Sequence, residues 1–348
     1  MPDLAEYDYD LPRELIAQQP LSHRSDARLL VVSRRDQSLA HAHVRDVGRY
    51  LSPGDCLVLN DTRVLPARLL GHRTRTGGRW SGLFVASDAA GNWEVMSKTR
   101  GKLHPGETVM LQDRVAQDAF QLTFLAELGN SLWAARPSVS GSPVDLLADV
   151  GRVPLPPYIR GGEMQESDVE RYQTVYAQRP GAIAAPTAGL HFTRGSLDEL
   201  MRCGVGVCHV TLHVGIGTFR PITSEKVENH QMHREWCEVS RQAVDEVTAC
   251  RAAGGRVVAV GTTSVRVLET AARNGTLSPW QGETDLFIHP PFRFHIVDAL
   301  MTNFHLPRST LLVLVRTFGG DALMKRAYDV AIQERYRFYS YGDAMLIL

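Results

Sequence analysis

The 348-residue chain balances 38 Lys plus Arg against 38 Asp plus Glu, and 44% of it is hydrophobic. That length builds two ordinary domains or one large one, and the neutral balance excludes a global field for nucleic acid or membrane, so a polyanion must be met by a local patch. The five cysteines form no CxxC pair, the acidic N-terminus lacks an apolar signal stretch, and no apolar run approaches membrane length, so a soluble cytoplasmic protein is expected.

Taken in order, residues 11–16 start a short helix with proline in its first turn, and residues 28–32 read as a buried strand. A Ser-Pro-Gly turn leads into a strand at 56–60. Asn60-Asp61-Thr62-Arg63 follows, placing polar groups at a strand's carboxyl end, where open α/β sheets bind ligands. From 64 to 150 the texture changes. Six short candidate strands (68–71, 80–86, 93–98, 108–111, 120–126 and 132–135) are separated by Gly and Asn turns, the pattern of a small barrel. Residues 62–87 hold no acid yet carry Arg63, Arg68, Arg73, Arg75 and Arg79, and residues 98–102 add a second basic cluster. Such a run is either a solvated face or a patch for RNA phosphates, for which Arg73, Arg75 and Arg79 are the candidates.

Val153-Pro-Leu-Pro-Pro-Tyr158 is a stiff linker out of this module. Beyond it helices and strands alternate: helix 167–177, strand 207–214, helix 240–253, strand 257–260, helix 264–273, strand 285–288, helices 309–318 and 322–336, and strand 344–348. This rhythm predicts an α/β fold, a mainly parallel sheet covered by helices, formed by residues 1–63 and 151–348. A small β-barrel domain at 64–150 is inserted into it.

Residues 181–221 hold the densest candidate chemistry. A loop carries Thr187, Gly189, His191 and Thr193. In the strand after it His209, Thr211 and His213 share one face and aliphatics the other. Gly215-Ile-Gly217-Thr218 then lets the backbone come close to a ligand. This is a pocket wall or, alternatively, a half-exposed strand with solvated histidines. Gly261-Thr262-Thr263-Ser264 opens a helix after a buried strand. Either Thr263 or Ser264 caps that helix, or its free amides receive an anion. Asn303 and His305 alternate with Phe304 and Leu306, and either face a cavity or brace their loop. His230, His233 and Glu235 have spacing compatible with a metal, with His209 and His213 completing a site. No HExxH motif or cysteine pair supports one, and proton transfer or hydrogen bonding by His233 or Glu235 is preferred.

Nine blocks occur in a distinctive order: RVLPARL at 63–69, PPYI at 156–159, ERYQTVYA at 170–177, APTAGLHFT at 185–193, HVTLHVGIGTFRP at 209–221, HQMHREW at 230–236, GTTSVRVLE at 261–269, TNFHLPRSTLL at 302–312 and YSYGDAMLI at 339–347. Through them the chain resembles, nearly end to end, the S-adenosylmethionine:tRNA ribosyltransferase-isomerases of queuosine biosynthesis. The resemblance implies an α/β domain with an inserted barrel. It also implies transfer and isomerisation of the ribosyl part of S-adenosylmethionine onto 7-aminomethyl-7-deazaguanine at the tRNA wobble position. Epoxyqueuosine forms, and adenine and methionine leave. S-adenosylmethionine is then a ribosyl-donor substrate, tRNA the partner, and no cofactor or metal is expected in a cytoplasmic monomer.

That chemistry needs acid–base groups, because the sulfonium acidifies a sugar C–H bond and departing adenine requires a proton. His213, His191 and His233 are the natural candidates, and Asp61 holds a ribose hydroxyl or orients a histidine. Thr262, Thr263 and Ser264 suit the methionine carboxylate, with Asn60, Arg63, Thr187, Thr218, Glu235, Asn303 and His305 as further substrate contacts. Two departures stand out. Pro290-Pro291 replaces the usual Pro-Gly, and Arg316, where a small residue is usual, reads as facing solvent or a partner. The competing readings are a non-catalytic RNA-binding protein and a metal-dependent hydrolase using His209, His213, His230 and His233.

Overall fold

The computed structural model describes residues 3–215, 217, 222, 224 and 226–348. Strands β1 (Arg28–Ser33), β2 (Ser38–His43) and β3 (Cys56–Asn60) come first, and a short β4 (Thr62–Val64) follows. Next are β5 (Arg68–Arg73), β6 (Arg79–Ser87), β7 (Trp93–Thr99), β8 (Thr108–Gln112), β9 (Asp118–Gly129) and β10 (Leu132–Pro137), then helix α1 (Pro143–Val150) and the single turn α2 (Asp168–Arg171). The last part holds β11 (Arg179–Ala182), α3 (Arg194–Arg202), β12 (Gly206–Leu212), β13 (Glu235–Val239), α4 (Arg241–Ala252), β14 (Val257–Val260), α5 (Thr262–Ala271), β15 (Trp280–Thr284), β16 (Ala299–Asn303), α6 (Thr310–Gly319), α7 (Asp321–Gln333) and β17 (Ala344–Ile347).

These elements form two units, Met1–Arg63 with Arg171–Leu348, and Val64–Glu170. In the first, nine strands make one sheet in the order β15-β13-β12-β3-β14-β16-β17-β1-β2. The mainly parallel sheet expected from the sequence is corrected to a mixed one. The β12–β3, β3–β14, β14–β16 and β17–β1 pairs are parallel, and the other four neighbours are antiparallel. Every residue of β3, β14, β16 and β17 is buried. Their near-continuous apolar runs fit strands covered on both faces, and Leu57, Leu59, Val258, Val260, Met301 and Leu346 share one core cluster.

In the second unit the six strands close as β10-β7-β6-β5-β8-β9. Burial alternates along β5 and β8, as side chains pointing in and out of a small barrel require. Aromatic rings fill the inside, with Trp80 on Phe124 and Phe84 on Trp93 meeting edge to face at 5.8 and 5.2 Å. Ser142 caps α1 by accepting the Asp145 N–H at 3.2 Å, and Leu146, Leu147 and Val150 pack on the barrel core. The backbones of Arg68 and Arg152 exchange two hydrogen bonds, at 3.0 and 2.8 Å. These contacts hold the segment after α1 with the barrel, so the unit ends at Glu170 rather than at 150.

Local differences have plain causes. The expected helix at 167–177 is helical only over Asp168–Arg171, and Thr174 and Val175 beyond it are β-branched. The strand expected at 285–288 lies just upstream at Trp280–Thr284, because its register is set by pairing with β13 and not by hydrophobicity. Arg316, expected on the surface, is 5% exposed. It bonds Asp321 through Nε at 2.7 Å and lies 4.2 Å over the Tyr7 ring.

Candidate active site

Because β12, β3, β14 and β16 run parallel as neighbours, their carboxyl ends gather Leu212 and His213, Asn60 and Asp61, Val260 and Gly261, and Asn303 at one edge of the sheet. Asn60 works here as scaffold. Its Nδ2 donates to Leu212 O at 3.0 Å, while its Oδ1 accepts the Leu212 and Thr62 amides at 3.0 and 3.1 Å. The side chain thus stitches β12 to the end of β3. Asp61 is buried, accepts Thr211 Oγ1 at 2.6 Å, and lines a cavity of about 230 Å³ shared with Arg179, His209, Thr211 and Glu238.

His213 lies one residue past β12. Its Nδ1 is 2.8 Å from Thr62 Oγ1, and its ring stacks on Trp236 at 4.9 Å and 17°. Gly181 is required opposite it, since a Cβ there would come within 2.7 Å of the imidazole. Burial pulls the His213 pKa below its ordinary value; Asp61 opposes this and Arg179 adds to it. Glu235 is buried, accepts the Gly215 N–H at 2.8 Å and pairs with buried Arg266. It therefore fixes the turn after His213 and is not a free acid. His233 is exposed with its ring against Gly217, and Thr218 lies outside the described residues.

A second cluster surrounds the loop at 187–191. Thr187 Oγ1 donates to Asn303 Oδ1 at 2.9 Å, and Asn303 Nδ2 is 3.2 Å from His191 Nε2 and donates to Tyr339 O at 3.1 Å. Burial lowers the His191 pKa to about 4, with Arg24 and Arg337 adding to the effect. That lies below the near-neutral range that suits a proton shuttle. His305 is likewise held by Thr302 Oγ1 at 2.8 Å and lowered to about 3 by burial, so it braces its loop.

Beside this loop begins α5. Its N-cap is Gly261, at φ 89°, and no side chain caps the helix, so neither Thr263 nor Ser264 does. Ser264 instead donates back to Val260 O at 2.8 Å. Thr263 is 8% exposed, and its buried Oγ1 has no hydrogen-bond partner among the described residues. A Cβ on Gly261 would lie 3.5 Å from that hydroxyl and 3.7 Å from Ala188. The Tyr176 hydroxyl and Thr174 Oγ1 are also buried without partners. The Tyr176 hydroxyl sits against Gly189, where a Cβ would approach it to 1.9 Å, and its ring is 5.7 Å from His209. Sequence reasoning missed Tyr176 and Thr174 because it assigned them to a helix. The glycine at 189 was the available signal, marking a close approach.

Arg63 is exposed. Arg73, expected to meet RNA, is 8% exposed and bound to Glu107 by two bonds of 2.6 and 2.7 Å, so it is a buried structural cation. Arg75 and Arg79 are exposed. Among the described residues no group of three His, Cys, Asp or Glu is arranged to hold a metal ion, and no helix is long and apolar enough to cross a membrane.

Buried hydroxyls without partners lie where a helix begins at the carboxyl edge of parallel strands, the place where enzymes of the α/β class bind small molecules. The chain belongs to the queuosine biosynthesis protein family, whose model matches residues 4–347. An S-adenosylmethionine:tRNA ribosyltransferase-isomerase of Symbiobacterium thermophilum is 48% identical over 349 residues, 99% of each chain. One of Coxiella burnetii is 47% identical over 346 residues, covering 99% of this chain and 98% of the relative. The crystal structure of S-adenosylmethionine tRNA ribosyltransferase from Thermotoga maritima is similar over 99% of this chain and 100% of that one, with a TM-score of 0.57 and 36% identity.

Proposed function

We propose that this chain transfers and isomerises the ribosyl part of S-adenosylmethionine onto 7-aminomethyl-7-deazaguanine in the wobble position of tRNA, releasing adenine and methionine. The observation that carries the placement of the donor is the start of α5, uncapped by any side chain and beside the unpartnered Thr263 hydroxyl. Free amides and the positive end of the helix dipole suit the methionine carboxylate, and the hydroxyl supplies one more donor.

His213 is the base in this reading. Thr62 and Trp236 fix its ring, and its lowered pKa leaves it neutral near pH 7. A neutral imidazole removes the sugar proton acidified by the sulfonium, and the imidazolium formed returns a proton to departing adenine. Asp61, anchored by Thr211, stabilises that imidazolium or holds a ribose hydroxyl. The aminomethyl nitrogen of the tRNA base, in its neutral form, attacks the rearranging sugar. S-adenosylmethionine is a substrate here, and the reaction calls for no separate cofactor.

The test is a product assay with S-adenosylmethionine labelled in its ribose and tRNA bearing 7-aminomethyl-7-deazaguanine. Free adenine, free methionine and ribosyl label on the tRNA are expected. Methyl transfer with S-adenosylhomocysteine as product would overturn the reading.

A further inference from the structure

Two segments of the barrel are brought together at one rim. The turn between β5 and β6 spans residues 74–78, and β6 pairs with β7 so that Trp80 faces Thr99 and Ser81 faces Lys98. The turn therefore lies beside residues 98–102. Arg73 locks the two from inside. Its guanidinium donates to Arg100 O at 3.3 Å and Lys102 O at 3.1 Å while gripping Glu107 with two bonds. A planar fork can hold a carboxylate and two carbonyls at once, which a lysine ammonium does less well.

The result is a division of charge. Arg73 and Glu107 neutralise each other below the surface, and Arg75, Arg79, Lys98, Arg100 and Lys102 all stand exposed above them. Residues 62–106 contain acids only at Asp88 and Glu94, outside both segments. Arg75 also reaches Glu107, at 3.2 Å. A groove of about 330 Å³ runs along this rim, lined by Ser97, Lys98, Thr99, Lys102 and Trp133, with Glu127 its one acidic wall. A neutral protein that takes a polyanion needs such a concentrated patch, since its net charge supplies no attraction.

We propose that this rim binds the phosphodiester backbone of RNA through its exposed cations, Arg79, Lys98 and Lys102 among them. The proposal rests on the reading above that the substrate is tRNA, and it assigns the backbone contact to this face. Phosphate contacts orient a nucleic acid without reading its sequence, so the rim serves affinity and leaves base choice to other groups.

The test measures binding of a labelled anticodon stem–loop by fluorescence anisotropy across a salt series. It compares the intact chain with the triple variant Arg79→Ala, Lys98→Ala, Lys102→Ala. Removing three phosphate contacts should lower the slope of log Kd against log salt by about 2 to 3 and weaken binding at least tenfold at moderate salt. The loss should be the same for stem–loops with and without 7-aminomethyl-7-deazaguanine, and S-adenosylmethionine binding, followed by calorimetry, should not change. Unchanged slope and affinity in the variant, with steep salt dependence in the parent, would overturn the rim assignment alone. Loss of binding to polyglutamate with RNA binding retained would also overturn it, making the rim a dock for acidic protein. A parent chain that binds no RNA at low salt would sink the tRNA reading and this proposal together.

Discussion

At the carboxyl edge of the sheet in the α/β unit, hydroxyls of Thr174, Tyr176 and Thr263 are buried with nothing to bond among the described residues, and the nearby histidines are held neutral. At the rim of the barrel the buried polar groups are fully matched, Arg73 to Glu107 and to two carbonyls, and the unmatched charge is all outside. An unpartnered buried hydroxyl costs stability, of order 1–3 kcal/mol. It persists where a ligand completes it. Exposed cations cost little and act at range, which suits a large charged partner. On the two proposals above, the first surface suits a small molecule desolvated on entry and the second a polyanion that stays wet.

The comparison breaks first, and by the widest margin, at His213. His213→Ala should lower turnover roughly a hundredfold or more while RNA affinity stays within twofold, because the group acts on protons and not on phosphates. His213→Gln, which keeps a hydrogen bond to Thr62 without titrating, should be nearly as poor. Retention of most activity by the glutamine variant would move the base elsewhere.

Next in size is the acid response. His191 has a folded pKa of about 4 against an ordinary 6.5, so the unfolded chain binds more protons between those values. Its contribution is fully present above pH 6.5 and is lost as pH falls toward 4, roughly 2 kcal/mol by about pH 5. His305, at about 3, acts in the same direction. Denaturant titrations near pH 7 and 5 should show this loss, reduced by a similar amount in His191→Gln. The barrel holds no buried histidine among its described residues, so its fluorescence-detected unfolding should move less. Equal sensitivity of both units would contradict the contrast.

A smaller effect with two signs is expected at Thr263. Thr263→Val keeps the shape and removes the unpartnered hydroxyl, so the free protein should melt at the same or a higher temperature. KM for S-adenosylmethionine should rise roughly tenfold, about 1.4 kcal/mol of lost binding. A drop in melting temperature with KM unchanged would show the hydroxyl to be structural.

Much of this was legible beforehand. The apolar runs of β3, β14 and β17 and the helices α4 to α7 stand out by period alone, and the even spacing of short strands pointed to the barrel. Strand direction has no such signature, and β2, β13, β15 and β17 each pair antiparallel with a neighbour, which makes the sheet mixed. β13 and β15 were missed because Glu235–Val239 and Trp280–Thr284 are stabilised by pairing with each other more than by hydrophobicity. At the site, residue type identified His213, Asp61 and Thr263 as candidates. It also put Arg73 with the exposed arginines and Glu235 with the free acids. Both of those are held by partners distant in sequence, Glu107 and Arg266, and only the folded chain brings those pairs together.

The central claim, that the start of α5 receives the donor, is tested most directly by a crystal structure of the chain with S-adenosylmethionine bound. The methionine carboxylate should lie about 3 Å from the backbone amides at the start of α5 and from Thr263 Oγ1, with the ribose toward His213. A carboxylate held instead by Arg179 in the Asp61 cavity, with the α5 N-terminus unengaged, would contradict it.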